Sequence, residues 1–219
     1  MLFQDRFEAG RVLASKLSHL GNRPDVVVLA LPRGGVPVGY EVAKALNVPL
    51  DIFVVRKLGV PGQEELAMGA IASGGVRVLN ENVIRMLGIP DQVVDAVAAQ
   101  EEQELERRER EYRDGRPPID VRGRTVILVD DGLATGSSMR VAALALRDKN
   151  PARIIVAVPV ASPATCAEFE LEVDQVICAV TPDPFSAVGQ WYTDFSQTSD
   201  EEVRDLLRRA ASLPAPRAA

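Results

Sequence analysis

Two carboxylates stand side by side at Asp130-Asp131, directly after the apolar run Val126-Ile127-Leu128-Val129. Gly132-Leu133 follows, then the small-residue turn Ala134-Thr135-Gly136-Ser137-Ser138, after which a helical pattern begins. Adjacent carboxylates at a strand end can accept hydrogen bonds from vicinal hydroxyls or help hold a divalent cation. A Thr-Gly-Ser-Ser turn opening a helix offers free backbone N–H groups, hydroxyls and the positive end of a helix dipole, all of which favour a phosphate. Gly136 lets the backbone approach closely. Carboxylates for a diol, followed at once by a phosphate cradle, describe a receptor for a ribose 5-phosphate. An ordinary strand-turn-helix explains the serines as caps but leaves the acidic pair without a purpose. The chain has neither the GK[ST] of a Walker loop nor a GxGxxG fingerprint.

Three further segments could contribute. Pro32-Arg33-Gly34-Gly35 follows the apolar run of residues 25–31, and glycines beside a cation can hold an anion. Arg56-Lys57 opens RKLGVPGQEE, read as a polar, mobile loop with Gly59, Pro61 and Gly62 as hinges. Residues 185–195, FSAVGQWYTDF, hold four of the ten aromatics, including Phe185, Trp191 and Tyr192. They form either a plug over the sheet or a platform on which a flat ligand stacks. Cys166 and Cys178 read as buried free thiols, and no Cys or His spacing suggests zinc. His19, the sole histidine, reads as a surface residue near a helix end.

The elements that must position these residues alternate regularly. Residues 5–20 read as a helix with an Asp5/Glu8 capping box. DVVVLAL at 25–31 has the continuous apolar character of a strand buried on both faces, and a helix from about Val36 to Leu46 and a strand DIFVV follow. A hairpin is expected around Ser73-Gly74-Gly75. Pro90 to Arg113 reads as one long helix with Glu104/Arg108, Glu106/Arg110 and Glu109/Arg113 each four apart, ended by GRPP. RTVILVD, SSMRVAALALRDK, RIIVAVPVA, PATCAEFELE and DQVICAV continue the alternation, and a last helix spans 200–210 before a frayed LPAPRAA end. This pattern predicts an α/β fold: an open, mainly parallel twisted sheet of about five core strands with helices on both faces. Ligands of such sheets bind at the C-terminal strand ends.

The chain has 219 residues and a net charge of -6, which argues against an extended nucleic-acid or anionic-membrane surface. The acidity is concentrated: residues 91–113 hold eight acidic and four basic groups, and residues 194–209 five and three. No run reaches the roughly 18 uninterrupted apolar residues of a membrane span. The charged N-terminus is unlike a signal peptide, so a cytoplasmic location is expected.

The segment VILVDDGLATGSS resembles the phosphoribosyl-diphosphate (PRPP) motif of the type I phosphoribosyltransferases, with weaker resemblance over most of residues 5–195. The resemblance implies one phosphoribosyltransferase domain over 1–219, with a helical insertion at 80–118 and a hood-like segment at 181–199. It implies transfer of 5-phosphoribosyl from PRPP to a nitrogen acceptor, a nucleobase or related compound, with release of diphosphate. Asp130 and Asp131 would contact the ribose hydroxyls, and Ala134, Thr135, Gly136, Ser137 and Ser138 would bind the 5-phosphate. Arg33, Gly34 and Gly35 would form the diphosphate loop, with the peptide entering Arg33 in the cis form. Arg56 and Lys57 would sit in the flexible loop and take up the leaving charge. Trp191, Tyr192 and, more weakly, Phe185 would meet the base. Magnesium would be carried by PRPP near Asp130 and Asp131 rather than in a dedicated site. In members acting on 6-oxopurines an aspartate precedes the Thr-Gly; here Ala134 stands there, which lowers hypoxanthine or guanine as acceptor. A PRPP-sensing regulator with the same fold and little turnover is the alternative, and a homo-oligomer is compatible with the long charged helix.

Overall fold

The computed structural model describes residues 2–213. The frayed end expected at LPAPRAA falls, from residue 214 on, outside the described residues. Helix α1 (Arg6–Lys16) starts at Asp5, whose side chain accepts from the Glu8 amide as the capping pattern predicts. A single 3-10 turn at Ser18–Leu20 holds the exposed His19.

The central sheet is made by β1 (Val26–Ala30), β2 (Leu50–Ile52), β6 (Thr125–Val129), β7 (Arg153–Val160) and β8 (Gln175–Val180). Its order is β2-β1-β6-β7-β8, and every neighbouring pair is parallel. All five residues of β1 and of β6 are buried. Strand side chains alternate between faces, so one set (Val26, Val28, Ala30, Ile127, Val129) packs with α1, α2 (Gly35–Leu46) and α7 (Asp200–Ala211). The other set (Val27, Leu29, Val126, Leu128) packs with α5 (Ser137–Arg147) and α6 (Pro163–Phe169). A helix layer on each face is why these strands read as continuous apolar runs.

The segment expected to be a mobile loop is instead folded. After β2 the chain enters a second, antiparallel sheet of β3 (Val55–Val60), β4 (Gln63–Ala72) and β5 (Val76–Leu79). Pro61-Gly62 make the two-residue turn between β3 and β4, with Gly62 at φ 79°. The expected Ser73-Gly74-Gly75 hairpin joins β4 to β5. Val55 therefore opens β3 rather than ending the second core strand, because the Val54 amide turns to the Ser73 hydroxyl at 2.7 Å.

Helix α3 (Glu81–Leu87) and the long α4 (Asp91–Arg113) follow. Val94, Ala98 and Leu105 of α4 share a core cluster with Leu58, Val60, Met68 and Ile71 of the second sheet. Of the three ion pairs expected along α4, Glu104–Arg108 (2.8 Å) and Glu109–Arg113 (3.2 Å) are present. Arg113 is also buried against Asp51, with Nε donating at 2.8 Å. The free-thiol expectation is corrected: Cys166 on α6 and Cys178 on β8 form a disulfide, because the helix lies directly against that strand.

Candidate functional site

Parallel packing of β1 and β6, with Ala30 opposite Val129, brings the loops after both strands together. Asp130-Asp131 leaves β6 beside the Pro32–Gly35 turn leaving β1. The fit requires glycine. A Cβ at Gly34 would overlap the Asp131 carboxylate, and one at Gly35 would lie 2.8 Å from the Val129 carbonyl. The Pro32–Arg33 peptide is cis, as the resemblance implies.

Both carboxylates are partly buried. Asp130 Oδ1 accepts from the Asp131 amide at 2.8 Å, so its own strand end orients it. Burial, and then the neighbouring Asp131 charge, hold the Asp130 carboxyl well above the usual carboxylate range. Burial also raises Asp131, opposed by its hydrogen bond from Arg6. The Arg6 Nε–Asp131 Oδ2 distance is 2.8 Å.

The turn after the pair is open where a ligand would need it. Ala134, Thr135, Ser137 and Ser138 are exposed, whereas Gly136 is buried. Gly136 caps α5 at φ 70°, and a Cβ there would strike the Phe169 ring. The first bond within α5 runs from the Arg140 amide to the Gly136 carbonyl at 2.8 Å. The amides of Ser137, Ser138 and Met139 precede it and have no intrahelical acceptor, which makes this end a positive, anion-accepting surface. Helix α6 supports the turn: Thr165 Oγ1 donates to the Ala134 carbonyl at 2.9 Å.

The three candidate cations each rest on a carboxylate. Arg33 lies 3.7 Å from Asp200 at the start of α7. Asp200 also accepts from the Tyr112 hydroxyl, whose pKa is pushed up to about 12 by burial and by that carboxylate. Strand alternation separates the other two. Arg56 shares the face of Leu58 and Val60 and pairs with Glu101 of α4 at 2.5 Å. Lys57 is on the other face, 3.3 Å from Glu65. They are strand residues, not members of a loop.

The aromatic segment divides as well. Tyr192 is 5% exposed, with its ring between Phe3 and Phe195 and its hydroxyl donating to the Asp131 carbonyl at 2.5 Å. It fastens this segment to the site and has no free face, so the expectation that it stacks on a base is corrected. Burial is the main cause of its raised pKa. Trp191 and Phe185 pack against the cluster of Phe3, Ala9 and Val160, and Trp191 Nε1 is buried without a partner among the described residues. Short ladders bind the segment to the N-terminus, from Phe3 N to the Trp191 carbonyl and from Thr193 N to the Phe3 carbonyl, both 2.8 Å.

Sequence patterning does not reveal Arg6, Thr165 or Phe169. Arg6 is 125 residues from its carboxylate, and no spacing rule spans that distance. Two cavities of about 380 and 490 Å³ lie away from this centre, around Asp51, Arg113 and Ile119. Among the described residues no cluster of three or more His, Cys, Asp or Glu could hold a metal ion, and no helix is long and apolar enough to cross a membrane.

The acidic pair, the glycine turn after β1 and the N-terminal end of α5 lie together at the C-terminal edge of a parallel sheet. The phosphoribosyl transferase domain family model matches residues 61–190, and the chain belongs to that family. A Mycobacterium tuberculosis (strain ATCC 25618 / H37Rv) protein, Rv0571c, provisionally named a phosphoribosyl transferase, is 49% identical over 209 residues. That alignment covers 95% of this chain and 47% of the relative, so the chain spans about half the relative's length. The crystal structure of TT1426 from Thermus thermophilus is similar at TM-score 0.82 and 42% identity, covering 95% of this chain and 99% of that one. A Neisseria gonorrhoeae protein crystallised with ppGpp shares the fold at TM-score 0.50 and 13% identity, over 95% and 98% of the two chains.

Proposed function

We propose that this chain transfers the 5-phosphoribosyl group of PRPP to a nitrogen acceptor and releases diphosphate. One observation supports this above others: the Asp130-Asp131 pair, the α5 N-terminal turn and the Arg33–Gly35 turn converge where β1 and β6 end. The amides and hydroxyls of Thr135–Ser138 would hold the 5-phosphate. Asp130 and Asp131 would accept from the ribose hydroxyls. As the C1–O bond to diphosphate breaks, positive charge grows on the ribose beside the carboxylates, and negative charge grows on the departing group. Positioning and charge stabilisation are then the protein's main tasks.

Arg33, in the turn after β1, would take up charge on the leaving group. Arg56 and Lys57 would take up charge once their present carboxylate partners are exchanged. Magnesium, when bound, would neutralise part of the diphosphate charge. Asp130 and Asp131 could add carboxylate oxygens to a metal that arrives on PRPP. The segment at 181–199 would form a hood on the acceptor side, presenting Trp191 or Phe185. The acceptor class stays within nitrogen heterocycles, with 6-oxopurines disfavoured because Ala134 has no group to accept or donate a proton.

Incubation with PRPP, magnesium and a panel of bases, reading diphosphate release, tests the proposal. Release with at least one base is expected. PRPP binding without release with any base would favour the regulatory alternative. Asp130→Asn with Asp131→Asn should abolish PRPP binding while the protein stays folded; unchanged affinity would contradict the site.

A further inference from the structure

One guanidinium ties three separate parts of the site together. Arg6, the first residue of α1, donates from Nε to Asp131 Oδ2 at 2.8 Å and from Nη1 to the Ser196 carbonyl at 2.7 Å. Its Cζ lies 4.0 Å from the Phe195 ring centroid, and its side chain is only 11% exposed. A Cβ placed on Gly34 would come within 3.2 Å of Arg6 Nε, so the Arg33–Gly35 turn also closes on it. The Tyr192 hydroxyl bonds the backbone of the same aspartate whose side chain Arg6 holds.

Resting on the function proposed above, we propose that Arg6 is a positioning residue that fixes the Asp131 carboxylate for ribose and fastens the 192–196 segment over it. Its planar fork sends two bonds in fixed directions, one to each partner. Charge-assisted bonds of this kind are short and directional. Arg6 occupies Oδ2 of Asp131 and leaves Oδ1 to accept from a ligand hydroxyl. Stacking on Phe195 holds the guanidinium plane. A lysine could keep the charge beside Asp131 but not the second directed bond to Ser196.

This difference separates a positioning role from a merely stabilising ion pair. The test uses the full chain, as wild type, Arg6→Lys and Arg6→Ala. Mg-PRPP affinity is measured by calorimetry, and acrylamide quenching of Trp191, the sole tryptophan, reports on the aromatic segment. Melting temperature is followed in parallel. Arg6→Ala should weaken Mg-PRPP binding about tenfold or more, the effect of losing one charge-assisted contact, and should increase quenching. Arg6→Lys should bind Mg-PRPP close to wild type yet keep the increased quenching. Methylguanidinium added to Arg6→Ala should restore binding. Variants that melt lower but keep wild-type affinity and quenching would overturn the inference, as would a lysine variant indistinguishable from alanine in PRPP affinity. If wild type itself fails to bind Mg-PRPP, the ribose-phosphate reading fails first. Binding by wild type with unaffected variants removes the Arg6 role alone.

Discussion

Replacing Asp130 by asparagine should raise stability more than replacing Asp131. Asp130 and Asp131 are neighbours, yet among the described residues only Asp131 has a cationic partner. The Asp130 carboxyl is raised by burial and by Asp131, so its ionisation opposes folding. The native state therefore holds a proton that the unfolded chain releases, and stability falls as pH rises from about 4, the unfolded value, towards the raised native one. Asp130→Asn removes that penalty and keeps an oxygen to accept from the Asp131 amide. Relieving a strained functional carboxylate typically gains about 1 kcal/mol, which is about 2–4 °C in melting temperature for a chain of this size. Asp131→Asn retains a neutral acceptor for Arg6 but loses the charge. Burial outweighs the Arg6 bond and leaves the Asp131 carboxyl raised as well, though less than Asp130, so Asp131→Asn should gain less in melting temperature than Asp130→Asn. Ligand-free melts of both variants and wild type between pH 4 and 8 measure the effect. Differences between variants cancel groups common to all three. Any wild-type advantage over Asp130→Asn at pH 4 should vanish as pH rises. An Asp130→Asn protein that melts below wild type at pH 7, or whose difference from wild type is independent of pH, would refute the reasoning.

Three further outcomes follow from the packing. Gly136→Ala forces a left-handed backbone on a residue with a Cβ, at a cost of about 1–2 kcal/mol, and presses on Phe169; weaker PRPP binding and a lower melting temperature are expected in calorimetry and thermal melts. Arg113→Ala strands the buried Asp51 carboxylate, which loses about 3–5 kcal/mol and lowers the melting temperature by on the order of 10 °C; a fall under about 2 °C would show the pair to be dispensable. Reduction of Cys166–Cys178, which closes a short loop, should remove about 3 kcal/mol. Two titratable thiols in unreduced, denatured protein would show that the bond is absent.

The core strands are legible in the sequence as apolar runs, and those buried on both faces, such as Val26–Ala30 and Thr125–Val129, have no other favourable placement. The Asp130–Ser138 turn is legible because all its chemistry is local. The β3–β4 hairpin is not. Gly59, Pro61 and Gly62 read as hinges, while the buried alternation of Leu58, Val60 and Met68 is the available signal for a strand pair. Its two-residue Pro61-Gly62 turn fits that alternation. The disulfide escapes a reading of the sequence because a helix-to-strand approach depends on tertiary packing, and Cys166 and Cys178 are 12 residues apart. Arg6 lies beyond any local pattern, since a cation in a first helix can pair with any carboxylate the fold brings near.

The acidic excess of α4 works at seams rather than as a general field. Asp95 and Glu102 hold Arg77 of β5, Glu101 holds Arg56 of β3, and Glu109 accepts from Ser73 at the β4 end. At the helix C-terminus Arg113 grips Asp51 and Tyr112 reaches Asp200, which also faces Arg33. The helix thus runs from the second sheet to the turn after β1. Its exposed pairs are individually weak, about 0–1 kcal/mol each, whereas the Arg113–Asp51 anchor is buried. A multiply charged diphosphate competes easily with the exposed carboxylates of Asp200 and Glu65 for Arg33 and Lys57, but not with the buried anchor. On this reasoning the cations can change partners while the helix and the sheet stay in place. The acidity that excludes an extended polyanion is therefore compatible with a small, highly charged ligand at the strand ends.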